Sequence, residues 1–426
     1  MLLYALLGSF LPYLPVWLSG RGLSDAEVGY VLSTAGVAVM VSPLIMTLVG
    51  DTQLPRRTVL AGLYVAAAGG AGLMLLCHSL AGLLLAHLLF AAAITPMMPL
   101  GDAVLFSTQA SQAAATGRST PYHRVRAFGT AGFLLPALGL WAYLHVGGGL
   151  DAVLVTAGVV AVLGALNATT LPRGGGREPD AERPEPAERE AKDARSGSAP
   201  PLPCGPGASP TAAGMIRGVM RLPTAVALGR LMRPDALVFA AAMWLLYATI
   251  SAYYGFYPLL LTRPAEAHGA GLDPSVIGLV SNLGVAIELP FMLAFGLLLR
   301  RAGLRRFMAL GAALIALRMA MLAVSAVPVV AIGSQLLHGV MVLVVHVAPP
   351  VFFNRFAEER YRASLQGLYV VVITGTARIV GSVTAGQIAD VSLRGVFLYA
   401  TAMALAAALG FAFLFRPRGE AAGEAV

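Results

Sequence analysis

The sequence predicts an all-α membrane protein of twelve transmembrane helices, arranged as two pseudo-symmetric six-helix bundles. Three observations carry that prediction: a composition too apolar for a soluble surface, twelve apolar runs of spanning length, and a repeat relating the two halves. Hydrophobic residues make up 58% of the 426 residues and charged residues only 12%, whereas soluble domains carry about 25% charged residues. Mean hydropathy is +0.77. The polar minority clusters between long apolar runs, as bilayer-spanning helices require.

A membrane helix needs about 20 predominantly apolar residues. In the first half such runs fall near 1–19, 24–49, 58–77, 80–105, 127–145 and 150–171. In the second half they fall near 234–261, 273–299, 306–325, 328–353, 364–389 and 395–415. The domains are therefore an N-terminal bundle over 1–171, a linker over 172–233, a C-terminal bundle over 234–416 and a tail over 417–426. The first run reaches Leu18 without a cleavage site and reads as a helix rather than a removable signal. Helix from Met1 to Leu18 is about 27 Å long against a core of about 30 Å, so the translation start is expected upstream.

Within the linker, 174–210 is rich in Pro, Gly, Glu and Arg without apolar periodicity, a disordered composition. Met215, Ile216, Val219 and Met220 then alternate with Arg217 and Arg221. This stretch reads either as a short helix on the membrane surface or as more linker.

Arginine placement sets the orientation. With the N-terminus inside, the inner loops hold Arg56, Arg57, Arg118, Arg124, Arg126, Arg300, Arg301, Arg305, Arg306, Arg355, Arg360 and Arg362, and the tail adds Arg416 and Arg418. The outer loops hold only Arg21, Arg263 and Arg394. Both termini and the linker are expected in the cytoplasm, and the expected location is the cytoplasmic (inner) membrane of a bacterium. The net charge of +8 lies in these loops and leaves no basic face for nucleic acid. Cys77 and Cys204 are too isolated to imply a disulfide or metal site, and no cofactor motif is present.

The repeat has one offset, 249 residues. Gly22 and Leu23 followed by Gly29 recur as Gly271 and Leu272 followed by Gly278; Arg56 and Arg57 map to Arg305 and Arg306, and Gly62 to Gly311. Two parallel six-helix repeats are the major facilitator architecture. Prolines match as well: Pro12 and Pro15 in the first span with Pro258 in the seventh, and Pro96 and Pro99 in the fourth with Pro349 and Pro350 in the tenth. Interrupted helices at corresponding places point to a transport site, although membrane helices also tolerate proline for structural reasons.

Charge at the centre of a membrane helix costs about 2.5–3.5 kcal/mol on insertion scales and needs a partner, a wet cavity or a function. The candidates are Asp102 (near the inner end of the fourth span), Arg126 (at the start of the fifth), Glu288, Arg318, His338, His346 and Arg378, with His87 weaker. Glu288, Arg318 and Arg378 are the deepest; their structural alternative is a buried ion pair that locks helices. His87 and His346 read as satisfied core histidines, and no spacing matches a metal motif. Two acids against three arginines leave one positive charge if all line one cavity, which favours an anionic substrate.

The same residues carry a resemblance. Pro15-Val16-Trp17-Leu18 through Gly22-Leu23, Ala252-Tyr253-Tyr254-Gly255-Phe256, Leu283-Gly284-Val285 with Glu288, and Leu337-His338 with His346 resemble the lactose-permease-like branch of the major facilitator superfamily, including phenylpropionate permeases. The resemblance implies substrate-binding roles for Asp102, Arg126, Glu288, Arg318 and His338. The charge inventory adds Arg378. Glu288 with His338 is the implied proton-coupling pair. Three of the branch's charged positions are absent: Met341 stands for a glutamate, Gln335 for a lysine and Ala248 for that lysine's partner acid. Gly50 and Asp51 through Arg56 and Arg57 are a reduced form of the superfamily's G-x-x-x-D-R-x-G-R-R gating loop. The expected function is secondary transport of a small solute by alternating access, with proton symport. An aromatic or other organic carboxylate leads as substrate, a sugar or nucleoside is the alternative, and a non-transporting sensor is the other class. The expected partners are the solute, protons and the lipid bilayer, with the protein a monomer.

Overall fold

The structure is a computed structural model that describes residues 1–51, 54–116, 122–171, 232–350 and 365–416, with Gly229 and Phe352. The linker apart from Gly229, Met232 and Arg233, its Met/Arg stretch, Cys204, the tail beyond Arg416 and the loop arginines Arg118, Arg355, Arg360 and Arg362 lie outside the described residues.

Nine stretches of the described residues are long and apolar enough to cross a bilayer. One of them, Pro274–Val324, turns back at Gly303, whose φ of 71° only glycine adopts readily. It holds two of the spans read from the sequence. Helices Asp25–Asp51 and Tyr122–His145 complete twelve. In chain order they are α1 (Leu2–Gly20), α2 (Asp25–Asp51), α3 (Arg56–Leu76), α4 (Leu80–Ile94 and Met97–Thr116), α5 (Tyr122–His145) and α6 (Ala152–Thr170). The second half has α7 (Pro234–Thr262), α8 (277–302), α9 (304–324), α10 (Pro328–Pro350), α11 (Leu365–Val391) and α12 (Leu393–Leu414).

Sequence chemistry explains the boundaries. Ser24 and Glu27 form a capping box at α2: the Ser24 amide donates to Glu27 Oε2 at 2.8 Å and the Glu27 amide to Ser24 Oγ at 3.2 Å. At the same place in the repeat, Asp273 accepts from the Ser275 amide at 2.8 Å. Gly22 and Gly271, also repeat mates, both take positive φ in the turns before these caps. Pro12 and Pro15 break α1 around Leu11–Tyr13, and Pro96 and Pro99 break α4 at Thr95. The match with α7 fails in structure, because α7 runs unbroken through Pro258.

α4 extends to Thr116 rather than ending near 105, because the polar but alanine-rich 107–116 continues the helix. Asp102 therefore sits mid-helix and half-buried, not near an inner end. α5 begins at Tyr122, which places the backbone of Arg126 inside a helix. Gly50 and Asp51 form the last turn of α2 and Arg56 and Arg57 the first turn of α3, so the gating loop is shorter than the sequence suggested. The side chains of Asp51 and Arg126 lie outside the described residues.

The halves meet chiefly where α2 crosses α11. A Cβ on Gly29 would collide with backbone at Ser382 and Gly386, and one on Gly36 with Gly375 and Ile379. Small residues let membrane helices approach this closely. The repeat mate of Gly29, Gly278, likewise abuts Tyr13 and Ala137 of the opposite half. The end of the molecule predicted to face outward is further tied across the halves. Arg263 holds Asp25 through both carboxylate oxygens (2.7 Å to Oδ2), and the Ala26 amide donates to Asp390 at 3.0 Å. The Gly278 amide donates to Tyr13 Oη at 3.2 Å, and Asn282 to the Leu134 carbonyl at 3.3 Å.

Candidate functional site

All three arginines expected in outer loops have partners. Arg263 grips Asp25, and Arg394 donates to the Ala323 carbonyl at 3.0 Å. Arg21 lies over the Trp17 ring and pairs with Asp151 at 3.0 Å. The Trp17 indole N–H, with Arg21 beside it, holds the Asp151 carboxyl below the usual carboxylate range. This cluster joins the ends of α1 and α6 and is structural.

The buried charges converge in the C-terminal half. α10 begins with a short turn of helix, passes through a 3-10 segment over Ser334–Leu337, and becomes α-helical at His338. The break presents Gln335 and His338 together toward α9. There Arg318, with 0% exposure, donates to His338 Nδ1 at 3.0 Å and to Gln335 Oε1 at 2.8 Å. It also donates to Tyr253 Oη of α7 and lies 4.3 Å from that ring's centroid. Gln335 Nε2 closes the circle on Tyr253 Oη at 3.3 Å. On its other side, His338 Nε2 lies 3.1 Å from Glu288 Oε1 of α8.

These contacts fix the chemistry of the imidazole. A guanidinium only donates, so His338 Nδ1 must accept from Arg318, which puts the ring proton on Nε2, facing Glu288. A second proton on the ring would set two donors against each other at Nδ1. His338 is thereby held neutral, and the buried charge of Arg318 reaches its counter-charge on Glu288 through the imidazole. Among the described residues no carboxylate touches Arg318 directly.

Glu288 is 18% exposed and lines a cavity of about 140 Å³ with Tyr253, Tyr254, Tyr257, Ser281, Gln335 and His338; Pro12 and Phe133 of the N-terminal half complete its wall. The cavity is thus shared by both halves. Arg318 lies behind it and does not line it.

Arg378 follows a π-turn in α11, Val370–Gly375. That turn is stabilised by Thr376 Oγ1 donating to the Val372 carbonyl, and Trp244 of α7 donates to Thr376 Oγ1 at 2.9 Å. A second π-turn, Leu343–Val347 in α10, receives a hydrogen bond from Tyr247 Oη at the Val345 carbonyl, 3.0 Å away. Arg378 is within electrostatic reach of His87, His346, Tyr247 and Tyr254, yet makes no hydrogen bond or ion pair with a described residue. π-turns frequently mark functional positions because they re-aim side chains.

Of the residues selected from sequence, Glu288, Arg318 and His338 come together; Arg378 stands apart across Tyr254; Asp102 is half-buried in α4 without a described partner. His87 is a satisfied core histidine: its Nδ1 meets the Val31 carbonyl at 2.8 Å and Thr34 Oγ1 at 2.6 Å. Gln335 and Met341, which the resemblance sets against a lysine and a glutamate, both touch Arg318. Ala248 is fully buried, and its backbone packs where a Cβ on Gly381 would collide. The tyrosines and Ser281 were missed as site residues. The i, i+4 spacing of Tyr253 and Tyr257, which stacks them at 4.8 Å, was the available signal.

A twelve-helix bundle of two six-helix halves, with a cavity shared between them, has the architecture of a multi-pass membrane transporter. Residues 1–399 match the MFS_1 like family, and the chain belongs to that family. No curated protein matches it. Among solved structures it is similar to the nucleoside transporter NupG (18% identity, 98% of this chain and 97% of that one, TM-score 0.75). It is also similar to an auto inhibited POT family peptide transporter (15%, 96% and 94%, TM-score 0.63). A third is a bacterial homolog of the human lysosomal transporter Spinster in an inward-facing, unoccupied conformation (14%, 97% and 94%, TM-score 0.64). At these identities the likeness defines the fold and carries no substrate.

Proposed function

We propose that this protein is a proton-coupled symporter of a small organic carboxylate with a ring-shaped body, working by alternating access in a bacterial cytoplasmic membrane with both termini inside. The observation that carries the proposal is the chain from Glu288 through neutral His338 to Arg318, ending at a cavity with tyrosine walls. Its volume, about 140 Å³, is close to the cavity of about 150 Å³ that accommodates one benzene ring.

Glu288 is the proton-binding group, because His338 cannot take a second proton while Arg318 faces Nδ1. An anion entering the cavity meets the Glu288 carboxylate as a like charge. At about 6 Å and an effective dielectric of about 20, that repulsion is about 3 kcal/mol, or about 100-fold in affinity. Protonating Glu288 removes it, so proton and anion bind together, which is the requirement for symport. Arg378, a cation with no acidic partner among the described residues, stands behind Tyr254 rather than in the cavity wall and attracts the substrate carboxylate from there. Gly50, Asp51, Arg56 and Arg57 then act at the opposite end as the inner gate. Asp102 and Arg126 extend the substrate path into the N-terminal half.

A thermal-shift screen of aromatic acids, nucleosides and sugars on purified protein tests the substrate class. Aromatic acids should stabilise the wild type but not Arg378→Gln. Stabilisation by nucleosides or sugars alone would replace the carboxylate reading with that of a neutral solute.

A further inference from the structure

The corner between α8 and α9 carries Arg300, Arg301, Arg305 and Arg306, and its chemistry is not explained by transport. Arg305 donates to the Ala412 carbonyl in the last turn of α12. This echoes the other half, where Arg57 donates to the Thr169 and Leu171 carbonyls at the end of α6 at 3.4 and 3.3 Å. Arg300, Arg301 and Arg306 are exposed and make no hydrogen bond or ion pair with a described residue. Arg306 also sits in the first turn of α9, where the helix dipole is positive and opposes a cation. Its position is electrostatically unfavourable unless an anion is present.

Beside these arginines is a cavity of about 490 Å³ between α9 and α12, lined by Arg305, Arg306, Ala309, Leu310 and Ala412. The small side chains of Ala309 and Ala412 make its floor, and Leu310, Phe413 and Leu414 continue it as an exposed apolar surface. The groove therefore has a cationic mouth at the level where the helices end and an apolar floor running toward the hydrocarbon core.

We infer that this groove binds an anionic phospholipid, with the phosphate of the headgroup at Arg306 beside Arg305 and one acyl chain along Ala309, Leu310 and Ala412. Guanidinium groups pair with phosphate oxygens through two parallel hydrogen bonds. A membrane leaflet supplies such headgroups at the depth of the arginines. A soluble anion would use the mouth but not the apolar floor.

The test is native mass spectrometry of the full-length protein with dioleoyl phosphatidylglycerol or dioleoyl phosphatidylcholine. The wild type should retain one phosphatidylglycerol under activation that strips phosphatidylcholine. Retention should fall about tenfold in Arg306→Gln. It should fall as far in Ala309→Trp, which fills the groove without changing charge. Arg56→Gln, at the repeat-related corner, should retain the lipid as the wild type does whatever its effect on transport, and millimolar inorganic phosphate should not displace the lipid. Equal retention of both lipids, wild-type retention in Ala309→Trp, loss in Arg56→Gln, or displacement by phosphate would each overturn the inference. A circular-dichroism melt of every variant ensures that only folded protein is compared.

Discussion

In the proposed topology and alternating-access cycle, neutralising Asp25 should open the outward end of the transporter. Arg263 reaches Asp25 from the far side of the interface between the halves and binds it through both oxygens. The carboxylate is 7% exposed and the guanidinium 25%. Exposed pairs contribute about 0.2–1 kcal/mol and breaking fully buried ones costs about 3–5 kcal/mol, so a half-buried bidentate pair is worth about 2 kcal/mol. Spent on the balance between outer-closed and outer-open states, that is about 30-fold in population. The assay is alkylation of Ser281→Cys, which lines the cavity, by a membrane-impermeant maleimide, with Cys77 and Cys204 replaced by serine. Asp25→Asn should label at least about tenfold faster from the outer side. Because the two residues act as one latch, adding Arg263→Gln should change the rate little further. Labelling of Asp25→Asn within twofold of the parent, or additive effects of the two substitutions, would refute the latch.

Three further outcomes follow from the same geometry. Arg318→Lys keeps the charge but loses the fork that joins His338, Gln335 and Tyr253; transport should be lost while the protein still folds, as read by uptake and thermal melting together. Gly29→Val should impair insertion of a stable fold, because its side chain would strike the backbone of α11; a melting temperature equal to wild type would contradict the close α2–α11 packing. Hydrogen bonds hold the Asp151 carboxyl below its ordinary range, so its contribution is present above about pH 4 and is lost as pH falls further. Asp151→Asn should therefore flatten the acid limb of a stability curve measured by thermal melting and leave the neutral plateau only slightly lower.

Much of this architecture was legible because membrane physics is one-dimensional in sequence. Apolar run length and a constant 249-residue offset are both linear patterns, and the offset proved physical: Gly22 and Gly271 take the same left-handed turn, and Gly29 and Gly278 both touch the opposite half. The end of α4 was misjudged because hydropathy falls before helicity does; alanines sustain the helix through the polar residues after Phe106. The site was legible as ingredients and not as an arrangement. Glu288, Arg318 and His338 stand out because ionisable residues are costly in a bilayer. That His338 stands between the other two depends on the 3-10 segment before it, which leaves no periodic trace in sequence. The tyrosines escaped notice since tyrosine is unremarkable in a membrane helix until its hydroxyl is seen to accept from Arg318. Asp25 is a first-turn acid that no sequence pattern singles out, and only the fold reveals Arg263 opposite it.

The central claim is that Glu288 carries the coupled proton while His338 stays neutral. Its most direct test is transport by Glu288→Gln in proteoliposomes, comparing accumulation driven by an imposed pH gradient with exchange of labelled for unlabelled substrate at equal pH. Glutamine keeps an acceptor for His338 Nε2 and removes the proton site. The substrate for both arms is whichever compound stabilises the wild type in the thermal-shift screen. Exchange should persist within a few-fold of wild type while gradient-driven accumulation disappears. Accumulation at the wild-type level by Glu288→Gln would contradict the account and place the coupled proton elsewhere.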